Sequence, residues 1–226
     1  MEDVEEGLPR MRRRYTSGRL LERDLAPDPF DEFRAWLHDA VTMGMAEPNA
    51  MVLGTTGADG RPSSRTVLLK GIDDGAFVFF TNTASRKATE IAANPWVSLC
   101  FPWIAMERQV LVCGAASTVS REATLAYWLT RPRESQIGAW ASHQSTVIGT
   151  REVLEASAAA VGERFPGEVP LPDFWSGYRV VPDTVEFWQG GVARLHDRLR
   201  YRRASGGEDS ASGGQEDAWV VERLAP

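Results

Sequence analysis

Residues 63–82 read SSRTVLLKGIDDGAFVFFTN, and this stretch decides the fold. Its first part, residues 63–72, is a strand, with Thr66, Val67, Leu68 and Leu69 lying between the cations Arg65 and Lys70. Asp73-Asp74-Gly75 is a tight hairpin turn, and residues 76–82 return as a second strand. Working outward, residues 50–56 form a strand before the turn Gly57-Ala58-Asp59-Gly60, and residues 85–94 form a short helix stopped by Asn94-Pro95. Residues 96–103 and 107–119 are two more strands. A meander, one short helix and two further strands are not a repeating βαβ pattern. They predict a mainly β chain with flanking helices, its antiparallel sheet closed into a barrel.

The rest of the chain fits that frame. A helix over residues 30–44 buries Phe33, Trp36, Leu37, Ala40 and Val41, with Met43 and Met45 as core filler. Helices are expected over 121–130, 134–142 and 147–165, and strands over 177–188, 194–203 and 218–223. Residues 204–217, rich in Gly, Ser, Asp and Glu, read as a flexible loop. Residues 1–28 read as a flexible arm and 29–226 as a single domain. The arm carries Met11-Arg12-Arg13-Arg14-Tyr15, which is either a solvated basic patch or a flap that closes a site.

Composition bounds the function. The 226 residues are 43% hydrophobic and 25% charged, enough for a sizeable core. No apolar run reaches the roughly 20 residues of a membrane span, and the acidic start lacks a signal-peptide core, so a cytoplasmic location is expected. A net charge of −6 argues against a general nucleic-acid binder. Cys100 and Cys113 have no metal-ligand spacing and read as buried thiols; no metal is expected. There is no P-loop, G-x-S-x-G elbow, H-E-x-x-H or strand-borne G-x-G-x-x-G.

The cations point instead to anion binding. On one strand Arg65 and Lys70, five apart, face opposite sides. Ser85-Arg86-Lys87 opens a helix just after Phe80-Thr81-Asn82, where free N–H groups and the helix dipole join two fixed charges to suit a phosphate. Each of these residues taken alone also fits a solvated strand end or helix start. Tyr127, Arg131 and Ser135 step by four and would line up as a second phosphate grip. Past the Gly190-Gly191 turn, Arg194, His196 and Arg198 share one face of a strand, with Trp188 opposite. Gln109, Gln144 and Ser145 suit the edge of a heterocycle. Two anion sites suggest a phosphorylated cofactor beside a phosphorylated substrate.

Several long motifs occur in order: Arg65 to Lys70, Phe80-Thr81-Asn82 with Ser85-Arg86-Lys87, Phe101-Pro102-Trp103 with Glu107-Arg108-Gln109-Val110, residues 131–140, Val169-Pro170-Leu171-Pro172, Glu186-Phe187-Trp188-Gln189-Gly190, Arg194-Leu195-His196-Asp197-Arg198 and the terminal Arg223-Leu224-Ala225-Pro226. From about Arg12 onward the chain resembles the pyridoxine (pyridoxamine) 5′-phosphate oxidase family. The resemblance implies a split β-barrel homodimer with FMN at the subunit interface. It implies oxidation of pyridoxine or pyridoxamine 5′-phosphate to pyridoxal 5′-phosphate by O2, giving H2O2, and ammonia from the amine. By position, Arg65, Thr66, Val67, Leu68, Leu69, Lys70, Phe80, Thr81, Arg86, Lys87, Gln109, Gln144, Ser145, Trp188 and Arg198 would bind FMN. Lys70, Tyr127, Arg131 and Ser135 would hold the substrate phosphate, Arg12 and Tyr15 would close over the substrate, and Arg194 and His196 would act at its ring. Phe80 stands where a tyrosine is expected in many members. A phenazine-type flavin oxidase and a non-catalytic FMN or pyridoxal phosphate binder are the alternatives.

Overall fold

The computed structural model describes residues 7–11, 13–16, 18–204 and 219–226. Arg12 and nearly all of the 204–217 loop therefore lie outside the described residues. The chain divides into two compact units, one of residues 49–100 and 112–183, the other of residues 1–48, 101–111 and 184–226. Nine strands are present among the described residues, in the order β2-β1-β5-β6-β7-β4-β3, with β8 paired to β7 and β9 to β8. The mainly β expectation holds.

In the first unit β1 (Ala50–Thr56) pairs antiparallel with β2 (Pro62–Leu68), Leu53 opposite Arg65. Met51, Leu53 and Thr55 of β1 point inward at the strand period of two. The predicted strand over 63–72 is in fact two. After Leu68 the chain leaves β1: Leu69 donates to Asn49 O, Lys70 donates to Val78 O, and β3 (Gly71–Asp73) pairs with β4 (Ala76–Asn82). The turn between β3 and β4 is the two-residue Asp74-Gly75, at φ 45° and 65°, the left-handed pair that a tight hairpin requires. β4 then lies along β7 (Trp175–Gln189), Phe80 opposite Gly177. β5 (Trp96–Trp103) and β6 (Arg108–Thr118) also contribute to this unit, as does α2 (Arg86–Ala93).

Three more helices belong to this unit: α3 (Arg121–Leu129), α4 (Arg133–Ala141) and α5 (Arg151–Arg164). The last begins four residues later than expected and buries none of its side chains. Trp128, Val169 and Trp175 form a small core under α3 and α4. The proline-rich segment beside it is pinned by Trp128 Nε1 to Val169 O (2.8 Å), Trp140 Nε1 to Pro170 O (2.7 Å) and the Arg121 guanidinium to the carbonyls of Leu171 and Pro172.

In the second unit α1 (Pro29–Thr42) starts at Asp28, whose carboxylate accepts from Phe30 N at 2.6 Å, with Pro29 in the first turn. Phe33 packs on Phe101 and Trp103, and Trp36 on Phe187. Ala40 is buried, but Val41 and Met43 are exposed and Leu37 is half-buried, a narrower apolar face than the spacing suggested. β8 (Asp197–Arg203) pairs with β7 and with β9 (Trp219–Arg223).

Candidate active site

A cavity of about 440 Å³ opens in the first unit. Of the expected residues, Arg65, Thr66, Val67, Leu68, Lys70, Phe80, Thr81, Lys87, Tyr127, Arg131, Ser135 and Gln144 line it. Arg65 and Lys70 thus line one cavity rather than facing opposite sides, because the break after Leu68 resets the alternation. Leu69 is buried. Arg86 and Ser145 line an adjoining hollow with Glu90 and Gln144, and Arg86 N donates to Ser145 Oγ at 3.1 Å.

Lys87 sits in the first turn of α2 and is buried. Its Nζ donates to Gln144 Oε1 (2.6 Å), Thr81 Oγ1 (3.2 Å) and Ser85 Oγ (3.4 Å), all uncharged. Burial, helped by the nearby Arg65 charge, lowers its pKa to about 8. Arg65 is bound inside the protein: Nη1 donates to Leu53 O (3.2 Å) and Thr55 Oγ1 (2.5 Å), and Nη2 to Ser63 Oγ and Glu90 Oε2 (3.2 Å). Glu90 also accepts from Thr55 Oγ1 (2.5 Å), Ser63 Oγ (2.6 Å) and Arg86 Nε (2.8 Å). Burial alone raises a carboxyl pKa; here the hydrogen bonds from Ser63, Thr55 and Arg86 outweigh it and hold Glu90 at about 2. Sequence reasoning missed this carboxylate, although its place four residues after Arg86 on a helix was a usable signal.

At the other grip, α3 stops at Leu129 and α4 starts after Pro132, and the short break between them keeps Tyr127, Arg131 and Ser135 on one cavity wall. The Arg131 guanidinium lies 4.8 Å from the Trp175 ring and 5.5 Å from that of Trp128, and Nη2 donates to Ser135 O at 2.8 Å. Among the described residues its Nε is buried without a hydrogen-bond partner. Phe80, Tyr127 and Trp175 form a cluster of near-parallel rings, with centroids 4.1 Å (Phe80 to Tyr127), 5.4 Å (Phe80 to Trp175) and 5.9 Å (Tyr127 to Trp175) apart. Gly177 makes room for it: a Cβ there would lie 2.6 Å from the Phe80 ring. Trp175 was another residue that the sequence did not single out. Lys70 is exposed, its Nζ 6.0 Å from the Tyr127 centroid.

The second unit gathers the remaining expected residues. Tyr15 meets Trp188 (5.8 Å) and His196 (5.5 Å) edge-on, Trp188 and His196 are 4.7 Å apart, and the Arg194 guanidinium is 5.6 Å from the Tyr15 ring. Arg194 and Ala193 have φ of 66° and 55°, so strand alternation does not reach them. β8 begins only at Asp197, and Arg198 forms a bidentate pair with Glu186 (2.7 and 3.0 Å) and donates to Ala225 O. The single cationic face expected of Arg194, His196 and Arg198 is therefore not formed. His196 Nδ1 accepts from Gly191 N at 3.1 Å, which leaves the neutral ring its proton on Nε2; burial and then Arg194 lower its pKa. Glu107, buried at φ 55°, accepts from Thr16 N (2.9 Å) and pairs with Arg13 Nε (3.6 Å), fastening the arm near Tyr15. Gln109 is half-buried on β6.

Among the described residues two cations, the buried Lys87 and the half-buried Arg131, line one polar cavity with no carboxylate paired to either, beside an aromatic cluster between strand and helix, an arrangement suited to anionic ring compounds. Comparison with known proteins narrows this class. Residues 31–165 match the family model described as pyridoxamine 5′-phosphate oxidase, and residues 175–226 the model for the pyridoxine 5′-phosphate oxidase C-terminal dimerisation region. The chain is 53% identical over 214 residues to the pyridoxine/pyridoxamine 5′-phosphate oxidase of Acidothermus cellulolyticus, covering 93% of this chain and 92% of the relative. It is 50% identical over 217 residues to that of Teredinibacter turnerae, covering 96% and 98%. Among solved structures, PhzG from Burkholderia lata, in complex with tetrahydrophenazine-1-carboxylic acid, superposes with a TM-score of 0.82 at 31% identity, covering 93% of this chain and 99% of that one. A pyridoxamine 5′-phosphate oxidase-related, FMN-binding protein from Nostoc punctiforme shares the fold at a TM-score of 0.68 and 19% identity, covering 89% and 100%. The chain belongs to the pyridoxamine 5′-phosphate oxidase family, and its fold is the split β-barrel of that family.

Proposed function

We propose that the protein is an FMN-dependent oxidase that converts pyridoxine 5′-phosphate and pyridoxamine 5′-phosphate to pyridoxal 5′-phosphate, with O2 as acceptor. The carrying observation is the pair of anion grips on one cavity, Lys87 among uncharged partners and Arg131 with an orphaned, buried Nε. A buried cation with no carboxylate to neutralise it is stabilised by an incoming phosphate. That donor set fits FMN: Lys87 and Arg86 would take its phosphate, and Thr81, Gln144 and Ser145 would supply neutral hydrogen bonds. Bound FMN supplies the acceptor for the hydride that leaves the substrate's C4′.

The chain's own residues bind and orient. Arg131, Lys70, Tyr127 and Ser135 hold the substrate phosphate, and fixing the ring by one end contributes several kcal/mol of positioning, up to roughly 7 in ideal cases. The Phe80–Tyr127–Trp175 stack keeps that grip rigid. His196, with Nδ1 engaged, offers an Nε2–H donor rather than a base. Arg194 and Tyr15 would cover the substrate ring, with Arg12 in the same arm. The reading includes a homodimer with FMN at the subunit interface, supported by the match to a dimerisation region, and a cytoplasmic location.

The similarity to PhzG favours a second reading, a flavin oxidase acting on a carboxylated phenazine precursor. Anaerobic addition of each substrate to the flavin-loaded protein separates the two. Bleaching by pyridoxamine 5′-phosphate that reverses in air supports the proposal. Bleaching by a reduced phenazine carboxylate alone supports the second reading, and no bleaching by either makes the protein a binder.

A further inference from the structure

Of the 25 lysines and arginines in the chain only two, Lys70 and Lys87, are lysines. Both line the cavity. The side-chain amines, the groups that condense with aldehydes, are thus concentrated at one place, while the remaining cationic side chains are guanidiniums. Of the two, Lys87 is the better nucleophile. It is buried, its Nζ contacts three uncharged oxygens, and it forms no ion pair among the described residues. With its pKa drawn down to about 8, an appreciable fraction of the amine is unprotonated near neutrality. The same cavity offers a phosphate partner in Arg131, whose buried Nε is unsatisfied.

We infer that in the FMN-free protein Lys87 captures pyridoxal 5′-phosphate as an imine, so that product and cofactor compete for this residue. The identity of the aldehyde rests on the proposed function. The Lys87 nitrogen adds to the aldehyde carbon, the carbonyl oxygen leaves as water, and a C=N bond forms; no oxidant or reductant is consumed, and hydrolysis reverses the step. Arg131 and Lys70 hold the product's phosphate meanwhile. An amine engaged in an imine is lost to the FMN phosphate, so accumulated product slows cofactor loading, whereas bound FMN, paired with Lys87, protects the amine.

The test uses the full chain stripped of flavin, incubated with pyridoxal 5′-phosphate, reduced with borohydride and mapped by mass spectrometry. One pyridoxyl phosphate group on Lys87 is expected, absent in Lys87→Arg and suppressed when FMN is added first to the native chain. The protection arm keeps the test decisive should the variant fail to fold. Unphosphorylated pyridoxal should label at least about tenfold less, since it lacks the charge-assisted contacts. Labelling chiefly at Lys70 or the terminal amine, labelling of Lys87 undiminished by FMN, or equal labelling by pyridoxal each overturns the inference. Flavin bleaching by pyridoxamine 5′-phosphate without Lys87 labelling removes the inference and leaves the proposed function standing. Labelling without bleaching does the reverse.

Discussion

Arg131 brings a buried guanidinium nitrogen to the cavity wall. Its guanidinium lies against the Trp128 and Trp175 rings and donates to Ser135 O, and its buried Nε has no hydrogen-bond partner among the described residues, which leaves it for a ligand. A charged hydrogen bond of that kind contributes about 1.5–3 kcal/mol. On the proposed oxidase reading, Arg131→Ala should therefore lower kcat/KM for pyridoxamine 5′-phosphate by roughly 10- to 100-fold and leave any turnover of unphosphorylated pyridoxamine unchanged. An equal loss on both substrates would show that Arg131 does not read the phosphate. Glu90 makes a different prediction. Its folded pKa of about 2 lies below the unfolded value near 4.5, so its contribution is full above pH 4.5 and is lost as the pH falls toward 2. The shift corresponds to about 3 kcal/mol. In Glu90→Gln the uncharged amide should cost about 1–3 kcal/mol at pH 7, and urea midpoints of the variant should fall less than those of the native chain between pH 4.5 and 3. A variant with the native acid slope would assign that slope to other carboxylates.

At the scale of elements, what was legible in the sequence was what depends on local pattern. The Asp74-Gly75 turn and the return strand β4 could be read because turn chemistry is local, and the start of α2 at Ser85 could be read from residue type although the Ser85 side chain makes no capping hydrogen bond. The break after Leu68 could not, because Thr66 to Leu69 has uniform strand propensity and only the change of partner from β1 to β4 ends the strand. The same holds at Arg194, where the Gly190-Gly191 turn was visible but the left-handed Ala193 and Arg194 carry no residue-type signal. The cavity cations were found as types in an order; Glu90 and Trp175 were not, and Glu107 appeared in a motif without its role toward the arm, since these roles exist only once strands and helices meet. Gly177 shows what such a meeting demands. A methyl group there meets Phe80 and Val119 at 2.6 Å, and Phe80 is confined by Tyr127 and Trp175. Gly177→Ala should cost about 1–3 kcal/mol by overpacking and raise KM for the phosphorylated substrate by displacing Tyr127. Unchanged stability in denaturant titration would mean that the stack yields freely. The arm offers a parallel test: Glu107→Ala removes the acceptor for Thr16 N and the partner of Arg13, and trypsin should then cut at Arg13 and Arg14 faster than in the native chain.

For the whole molecule the decisive question is how many chains complete one site. The cavity cations Lys70, Lys87 and Arg131 fall within residues 49–183, and Tyr15, Trp188, Arg194 and His196 within the N-terminal and C-terminal segments, the latter part of the dimerisation region. If FMN lies at the subunit interface, as proposed, one subunit supplies the cavity cations and its partner supplies Arg194 and His196. Two impaired variants then rescue each other. Equal amounts of Arg131→Ala and Arg194→Ala chains, unfolded together and refolded, give hybrid dimers in about half the population, and each hybrid carries one site with both arginines and one with neither. At a substrate concentration where both variants are slow, activity should return to about a quarter of that of the native dimer. Refolding either variant alone supplies the baseline. Should the mixture remain at the baseline while sizing and mass measurements confirm that hybrids form, each chain completes its own site, and the interface placement of the cofactor is wrong even though the oxidase reading survives.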